Sequence, residues 1–148
     1  MSTIAPTTTQ VYQVFIKATP EQIWEHITRP EFTAQYFYGA RIEATADRYL
    51  SHGPDGEVYG DEQVFEFHPP RRLVHGWRSL YDPDMAAEKA SRVTWEIEGQ
   101  DGGYSLLTVT HDQLEESPKT AESVFGVGWM MVLSGLKTLL ETGSPMMG

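Results

Sequence analysis

Apolar and polar residues alternate over Val11–Lys17, and that alternation returns through the middle of the chain. Period-two patterning on a composition rich in β-branched and aromatic residues reads as strand. After the first strand, Thr19-Pro20-Glu21-Gln22 has the form of a capping box with proline at the first helical position. It opens a short helix through Ile23, Trp24 and Ile27 that stops before Pro30. A second short helix begins at Pro30-Glu31 and ends near Tyr36-Phe37-Tyr38-Gly39. Strand patterns follow at 40–45, 48–52, 57–67, 72–80, 92–98 and 104–111, punctuated by His52-Gly53-Pro54-Asp55-Gly56, Pro69-Pro70 and the glycines from Gly99 to Gly103. Residues 81–90 read as a longer loop with room for a helical turn.

The last stretch, Ser117–Gly143, changes period. Ser117 suits an N-cap, Pro118 the first turn and Gly143 the position just past the end, with Pro145 blocking continuation. One continuous helix of about 36 Å is therefore predicted. At about 100° per residue, Ala121, Phe125, Gly128, Val132, Gly135, Leu136 and Leu139 collect on one face, with Trp129 and Leu140 beside them. Ser123, Ser134, Lys137 and Glu141 lie opposite, and Met130 points outward. Ala121, Gly128 and Gly135, seven residues apart, form a stripe of small residues down the buried face. Each interior glycine costs ~1 kcal/mol of helix propensity. Either close backbone approach or a hollow left for a ligand would offset that cost.

Strands joined by tight turns predict an antiparallel, strongly curved sheet, and the amphipathic helix must bury its face against it. The fold class is α+β: about seven strands, two short helices after strand one, and one long C-terminal helix. Residues 1–9 read as a flexible tail and 10–148 as a single domain.

A net charge of −10, spread along the chain, argues against nucleic acid or an anionic membrane as partner. The chain has no cysteine, no apolar run of membrane-spanning length and no basic-then-apolar N-terminal signal, which together point to the cytoplasm. Four Trp, seven Tyr and six Phe suit either a packed core or a cavity for a ring-shaped ligand.

Several stretches in order resemble the START-like helix-grip superfamily, and within it the group named after the C-terminal domain of the activator of the Hsp90 ATPase. They are Ile16-Lys17-Ala18-Thr19-Pro20-Glu21-Gln22-Ile23-Trp24, Tyr36-Phe37-Tyr38-Gly39, and His68-Pro69-Pro70-Arg71-Arg72-Leu73-Val74 with Trp77. Leu107-Thr108-Val109-Thr110-His111 and Gly128-Trp129 through Leu133-Ser134-Gly135-Leu136-Lys137 complete the set, which covers residues 11–143. The resemblance implies a helix-grip fold, with the sheet wrapped round the C-terminal helix and a ligand space between them. Where the group usually carries an acidic residue before Pro-Pro, this chain has His68.

None of the five histidines belongs to a metal-binding pattern, so no metal or cofactor is expected. On period two, His75 shares a strand face with Leu73 and Trp77, and His111 with Leu107 and Val109. If those are inner faces, both imidazoles enter the cavity, where they could contact a ligand or act as acid and base. The plainer reading is a core histidine with its hydrogen bonds met, and no catalytic residue is assigned. Trp77, Trp95 and Trp129 are expected to line the cavity, with Gly128, Val132 and Gly135 from the helix; Tyr36 and Tyr38 are expected at its mouth. No pair among Asp61, Glu62, Asp82, Asp84, Glu96 and Glu98 is set for acid–base work, and most of these carboxylates read as solvated. A G-x-S-x-G nucleophile is absent, and Gly126-Val127-Gly128 is expected inside the helix, its N–H groups already bonded.

Three functions follow as expectations. The first is a binding domain for an apolar or aromatic small molecule, lipid-, steroid- or polyketide-like. The second, implied by the resemblance, is an interaction with an Hsp90-type chaperone. The third is a cyclase- or hydrolase-type enzyme using the two histidines. The oligomeric state is open, a homodimer included.

Overall fold

The computed structural model describes residues 8–147, so most of the expected tail at 1–9 lies outside the described residues. The order is β1 (Gln10–Ile16), α1 (Pro20–Thr28), α2 (Pro30–Thr33), β2 (Arg41–Ala44), β3 (Arg48–His52), β4 (Val58–His68) and β5 (Arg72–Trp77). Then come α3 (Pro83–Ala86), β6 (Ser91–Gln100), β7 (Tyr104–Asp112), α4 (Pro118–Val124) and α5 (Val127–Thr142). The seven strands form one antiparallel sheet in the order β1-β7-β6-β5-β4-β3-β2. Every strand from β2 to β7 pairs with its sequence neighbour, and β1 closes against β7. The arrangement is the α+β helix-grip fold that the patterning and the resemblance imply.

Local signals explain several joints. The Thr19 hydroxyl accepts from the Gln22 N–H at 3.2 Å while Gln22 Oε1 accepts from the Thr19 N–H at 2.9 Å, a complete capping box. β7 buries Ser105, Leu107, Val109 and His111 on its inner face, as its alternation predicts. Gly143 ends α5 in the left-handed conformation (φ 78°) and donates to the Leu139 carbonyl at 2.8 Å.

The C-terminal stretch departs from expectation. It is not one helix but two, bent by 43° across Phe125–Gly126. Phe125 is extended (φ −64°, ψ 137°), and Gly126 takes φ 63°, a region open to glycine. The Gly126 N–H leaves the helical ladder and donates to the Tyr12 hydroxyl at 2.7 Å. Phe125, expected on the buried face, is consequently exposed.

Contacts elsewhere hold α4 at its own angle. Ser117 makes no cap bond; its hydroxyl donates to the Lys89 carbonyl instead. The cap is supplied from a distance by Glu88, whose carboxylate accepts from the N–H groups of Lys119 (2.8 Å) and Thr120 (2.9 Å). Gln10 Nε2 donates to the Ala121 carbonyl at 3.1 Å, tying α4 to β1. A straight helix could not satisfy these groups and still lay α5 along the sheet.

α5 buries Trp129, Val132, Leu133, Gly135, Leu136 and Leu139. No single helix among the described residues is long and apolar enough to cross a membrane; the bent α4–α5 pair passes that test only as a pair. Gly135 proves to be a close-approach glycine. A Cβ there would stand 3.0 Å from the Tyr36 Cβ and 3.4 Å from the Tyr36 carbonyl oxygen, so α5 rests on the segment after α2. There is no hollow at this position. Gly135→Leu therefore overpacks the core and should lower unfolding free energy by about 1–3 kcal/mol. Urea denaturation checks this, and an unchanged midpoint would show that the contact gives way.

Candidate ligand site

A cavity of about 430 Å³ lies where strands β2–β5 face the bend between α4 and α5. Phe37, Tyr38 and Ala40 enter it from the turn after α2. The sheet contributes Ile42, Tyr49, Ser51, Tyr59, Gly60, Glu62, Gly76 and Trp77, followed by Arg78, Ser79 and Tyr81. Ser123 and Val124 of α4 with Gly128, Trp129 and Val132 of α5 complete the wall. The helix break thus positions the site, because it turns the end of α4 toward the open rim of the sheet.

Tyr38 stands at the mouth. Its backbone is left-handed (φ 52°), its ring is exposed, and its hydroxyl donates to the Gly128 carbonyl at 3.2 Å. Deeper in, Phe37 stacks on Trp77 with ring centroids 5.9 Å apart, and Trp77 lies 5.9 Å from Trp129. Three buried side-chain polar atoms have no hydrogen-bond partner among the described residues: the Tyr49 hydroxyl, Trp77 Nε1 and Arg78 Nε. All three belong to residues of this one cavity. Each such orphan costs roughly 1–3 kcal/mol.

Behind the aromatic wall sit the two imidazoles. Trp95 Nε1 donates to His75 Nε2 at 3.0 Å, and His75 Nδ1 lies 2.7 Å from the Gly76 carbonyl, to which it donates. Trp129 Nε1 donates to His111 Nδ1 at 3.1 Å, and His111 Nε2 donates to the Ser91 hydroxyl at 2.7 Å. Ser91 passes its own hydrogen to the Trp77 carbonyl at 3.1 Å. The partners dictate opposite tautomers: hydrogen on Nδ1 in His75 and on Nε2 in His111. Tyr49 covers His75 face to face, centroids 3.6 Å apart. Burial pulls the His75 pKa down to about 3, only partly opposed by the Gly76 carbonyl. His111 is also pulled to about 3, first by burial and then by His75, with Asp112 opposing.

The sequence over residues 17–141 matches the Activator of Hsp90 ATPase homolog 1-like protein family. The chain belongs to that family. Solved structures of similar fold include protein MLL2253 from Mesorhizobium loti, 21% identical over 90% of this chain and 96% of that one, TM-score 0.71. DynU16, a protein in the dynemicin biosynthetic locus, is 24% identical with TM-score 0.74; the match spans 95% of this chain and 49% of DynU16. The Aha1 dimer from Colwellia psychrerythraea is 16% identical over 93% of this chain and 98% of that one, TM-score 0.70. At these identities the likeness is one of fold. No curated protein matches the chain in sequence.

Within this family member the expected site residues divide into two groups. Tyr38, Trp77, Gly128, Trp129 and Val132 line the cavity. Tyr36, His75, Trp95, His111 and Gly135 do not. Tyr36 is turned into the core, its hydroxyl donating to the His26 carbonyl at 2.7 Å. His75 and His111 do face inward, but Tyr49, Trp77 and Trp129 stand between them and the space, so the imidazoles do not enter it. His68, in the usual acidic position, is exposed and 3.7 Å from Glu66. Among the described residues, no three His, Asp or Glu side chains gather as a metal set.

Glu62 is a lining residue that the sequence reading did not single out. Asp61 is exposed and held by Arg48 at 2.7 Å, whereas the Glu62 side chain is only 12% exposed and faces the cavity. The signal was present: on period two, Glu62 shares a face of β4 with Gly60 and the buried Val64.

The imidazoles generate a pH prediction. Unfolded histidine takes up a proton near pH 6.5, while these two resist until about pH 3 in the fold. The unfolded state therefore binds more protons as pH falls below 6.5, and their contribution, complete above that pH, is lost on the way to 3. Unfolding free energy should drop by roughly 4 kcal/mol between about pH 7 and pH 5 for the pair. Imidazole nitrogen NMR at the lower pH should still show both rings neutral, with opposite tautomers. A protonated ring there would refute the network.

Proposed function

We propose that this domain binds an apolar, ring-containing small molecule in the cavity between β2–β5 and the α4–α5 bend. The three orphaned polar atoms around one aromatic space carry the reading. A native fold leaves few buried polar groups unpaired, and several grouped at one cavity find their partners in water or in a molecule that enters it. The volume falls within the range of small-molecule sites, roughly 300–1,000 Å³. Lipid-, steroid- and polyketide-like compounds are the candidate classes. The catalytic alternative draws little from the geometry, because both imidazoles are neutral, fully hydrogen-bonded and screened from the space.

Family membership favours a second reading, contact with an Hsp90-type chaperone. Stimulation of Hsp90 ATPase by the purified chain would support it, and no binding at tens of micromolar would dismiss it. A homodimer is compatible with either reading.

Gly60 provides the decisive variant for the first. Its φ lies outside the left-handed region, and an added Cβ would meet only the Arg78 carbonyl oxygen at 3.5 Å and the Ser51 Cβ at 3.9 Å, ordinary contacts. Gly60→Leu should fill the cavity without disturbing the fold. Fluorescence titration with the neutral probe N-phenyl-1-naphthylamine should show binding to the wild type and at least about tenfold weaker binding to the variant, with Tm within a few degrees. Equal binding by both would place the probe elsewhere and sink the proposal.

A further inference from the structure

One polar pair interrupts the aromatic wall. Glu62 and Arg78 both line the cavity, and their nearest charged atoms, Glu62 Oε2 and Arg78 Nε, are 3.8 Å apart. That is an ion pair too long to be a hydrogen bond. Other arginines on the same sheet close on their carboxylates: Arg48 on Asp61 at 2.7 Å and Arg92 on Asp112 at 2.6 Å. Those two pairs are more open to water at the acid than Glu62 is, with side-chain exposures of 40% and 21% against 12%. Arg78 itself is as open as Arg92, 39% against 40%, so the difference between the pairs lies at the acid. Arg78 Nε is buried with no acceptor, whereas the Glu62 oxygens are not among the buried unpartnered atoms, and Glu62 lines the cavity.

The backbone is shaped around this gap. A Cβ on Gly76 would stand 2.7 Å from Glu62 Oε1, so the glycine leaves the carboxylate its place. Burial raises the Glu62 pKa against the opposing pull of Arg78, with Asp61 adding to the rise, and this makes the carboxylate a stronger hydrogen-bond acceptor.

An acceptor and a donor a few ångströms apart select the group that answers both. A ligand carboxylate would face Glu62, and a ligand ammonium would face Arg78, each with like-charge repulsion. A neutral hydroxyl donates its hydrogen to the carboxylate and accepts from the guanidinium. The rings of Phe37, Tyr49, Trp77 and Trp129 supply flat apolar walls for the remainder. We propose that the cavity recognises a neutral, hydroxylated polycyclic aromatic molecule, with Glu62 and Arg78 reading its hydroxyl. This rests on the ligand-binding reading above and adds the ligand's chemistry to it.

Three matched fluorescent compounds separate the two claims: pyrene, 1-hydroxypyrene and pyrene-1-carboxylate, titrated at a pH where the hydroxyl keeps its proton. The wild type should bind 1-hydroxypyrene at least about tenfold more tightly than either of the others. The isosteric Glu62→Gln and the charge-removing Arg78→Met should each shrink the ratio of 1-hydroxypyrene to pyrene affinity, measured on the same variant, to about threefold or less. If pyrene binds but the hydroxyl confers no advantage, or if the advantage survives both substitutions, this inference is overturned and the cavity reading stands. If none of the three binds the wild type, both are overturned.

Discussion

Two indole N–H groups aimed at two imidazoles hold the interior of this domain together. Trp95 on β6 meets His75 on β5, and Trp129 on α5 meets His111 on β7. Each imidazole then hands its one hydrogen onward, to the Gly76 carbonyl and to the Ser91 hydroxyl. The network stitches three adjacent strands and the C-terminal helix with no charge buried. Protonating either ring would set a second N–H against an indole N–H in a dry site, and so both stay neutral. A half-satisfied network of this kind would be worse than an apolar core, whereas a complete one fixes a single arrangement of rings.

That arrangement in turn creates the cavity. Trp129 is anchored by His111 at one edge and packs edge-on against Trp95, centroids 5.5 Å apart, so it cannot swing outward. Trp77 lies over the edge of His111, yet its own Nε1 finds no partner. The rings whose polar atoms lack partners, Tyr49 and Trp77, both line the cavity, while Trp129 lines it with its N–H already bonded to His111. The helix break completes the division. α5 is committed to the sheet through Trp129, Leu136 and Leu139, while α4 is committed to Glu88 and Lys89 beyond the sheet. The two commitments diverge by 43°, and the cavity opens at that corner.

Period-two patterning made the strands legible, because each inward residue is followed by an outward one and a one-residue error would invert a whole strand. It put His75 and His111 each on one strand face without deciding which face is inner, and both prove buried. What alternation cannot carry is the identity of the partner standing opposite. Trp129 comes from a helix 18 residues after His111 and fills the space that the imidazole alone would have faced. The helix break was hidden for a related reason. Hydrophobic periodicity averages over a window, and a single extended residue at Phe125 barely shifts the face on which later residues fall. Gly126 was the signal, but a glycine among apolar residues reads equally as a packing glycine. Gly135, further along the same stretch, is one: it lets α5 touch the Tyr36 backbone. Two glycines of one helical pattern thus do different work, and only the tertiary partner tells them apart.

Charge raises the same problem in a sharper form. Asp61 and Glu62 are neighbours on β4 with equal formal charge, and alternation sends one to solvent and the other inward. An acid on the inward face normally requires a close basic partner, since a buried unpaired carboxylate is costly. Arg78 is present but stops at 3.8 Å, while Gly76 gives up its side chain to accommodate the carboxylate. A fold that merely tolerated Glu62 would gain by closing the pair, as it does at Arg48–Asp61, or by replacing the acid with an aliphatic residue like Val64 two positions on. Neither has happened. The proposed hydroxyl would answer both halves of the open pair, and the Trp77 and Tyr49 polar atoms, equally unpartnered, border the same cavity.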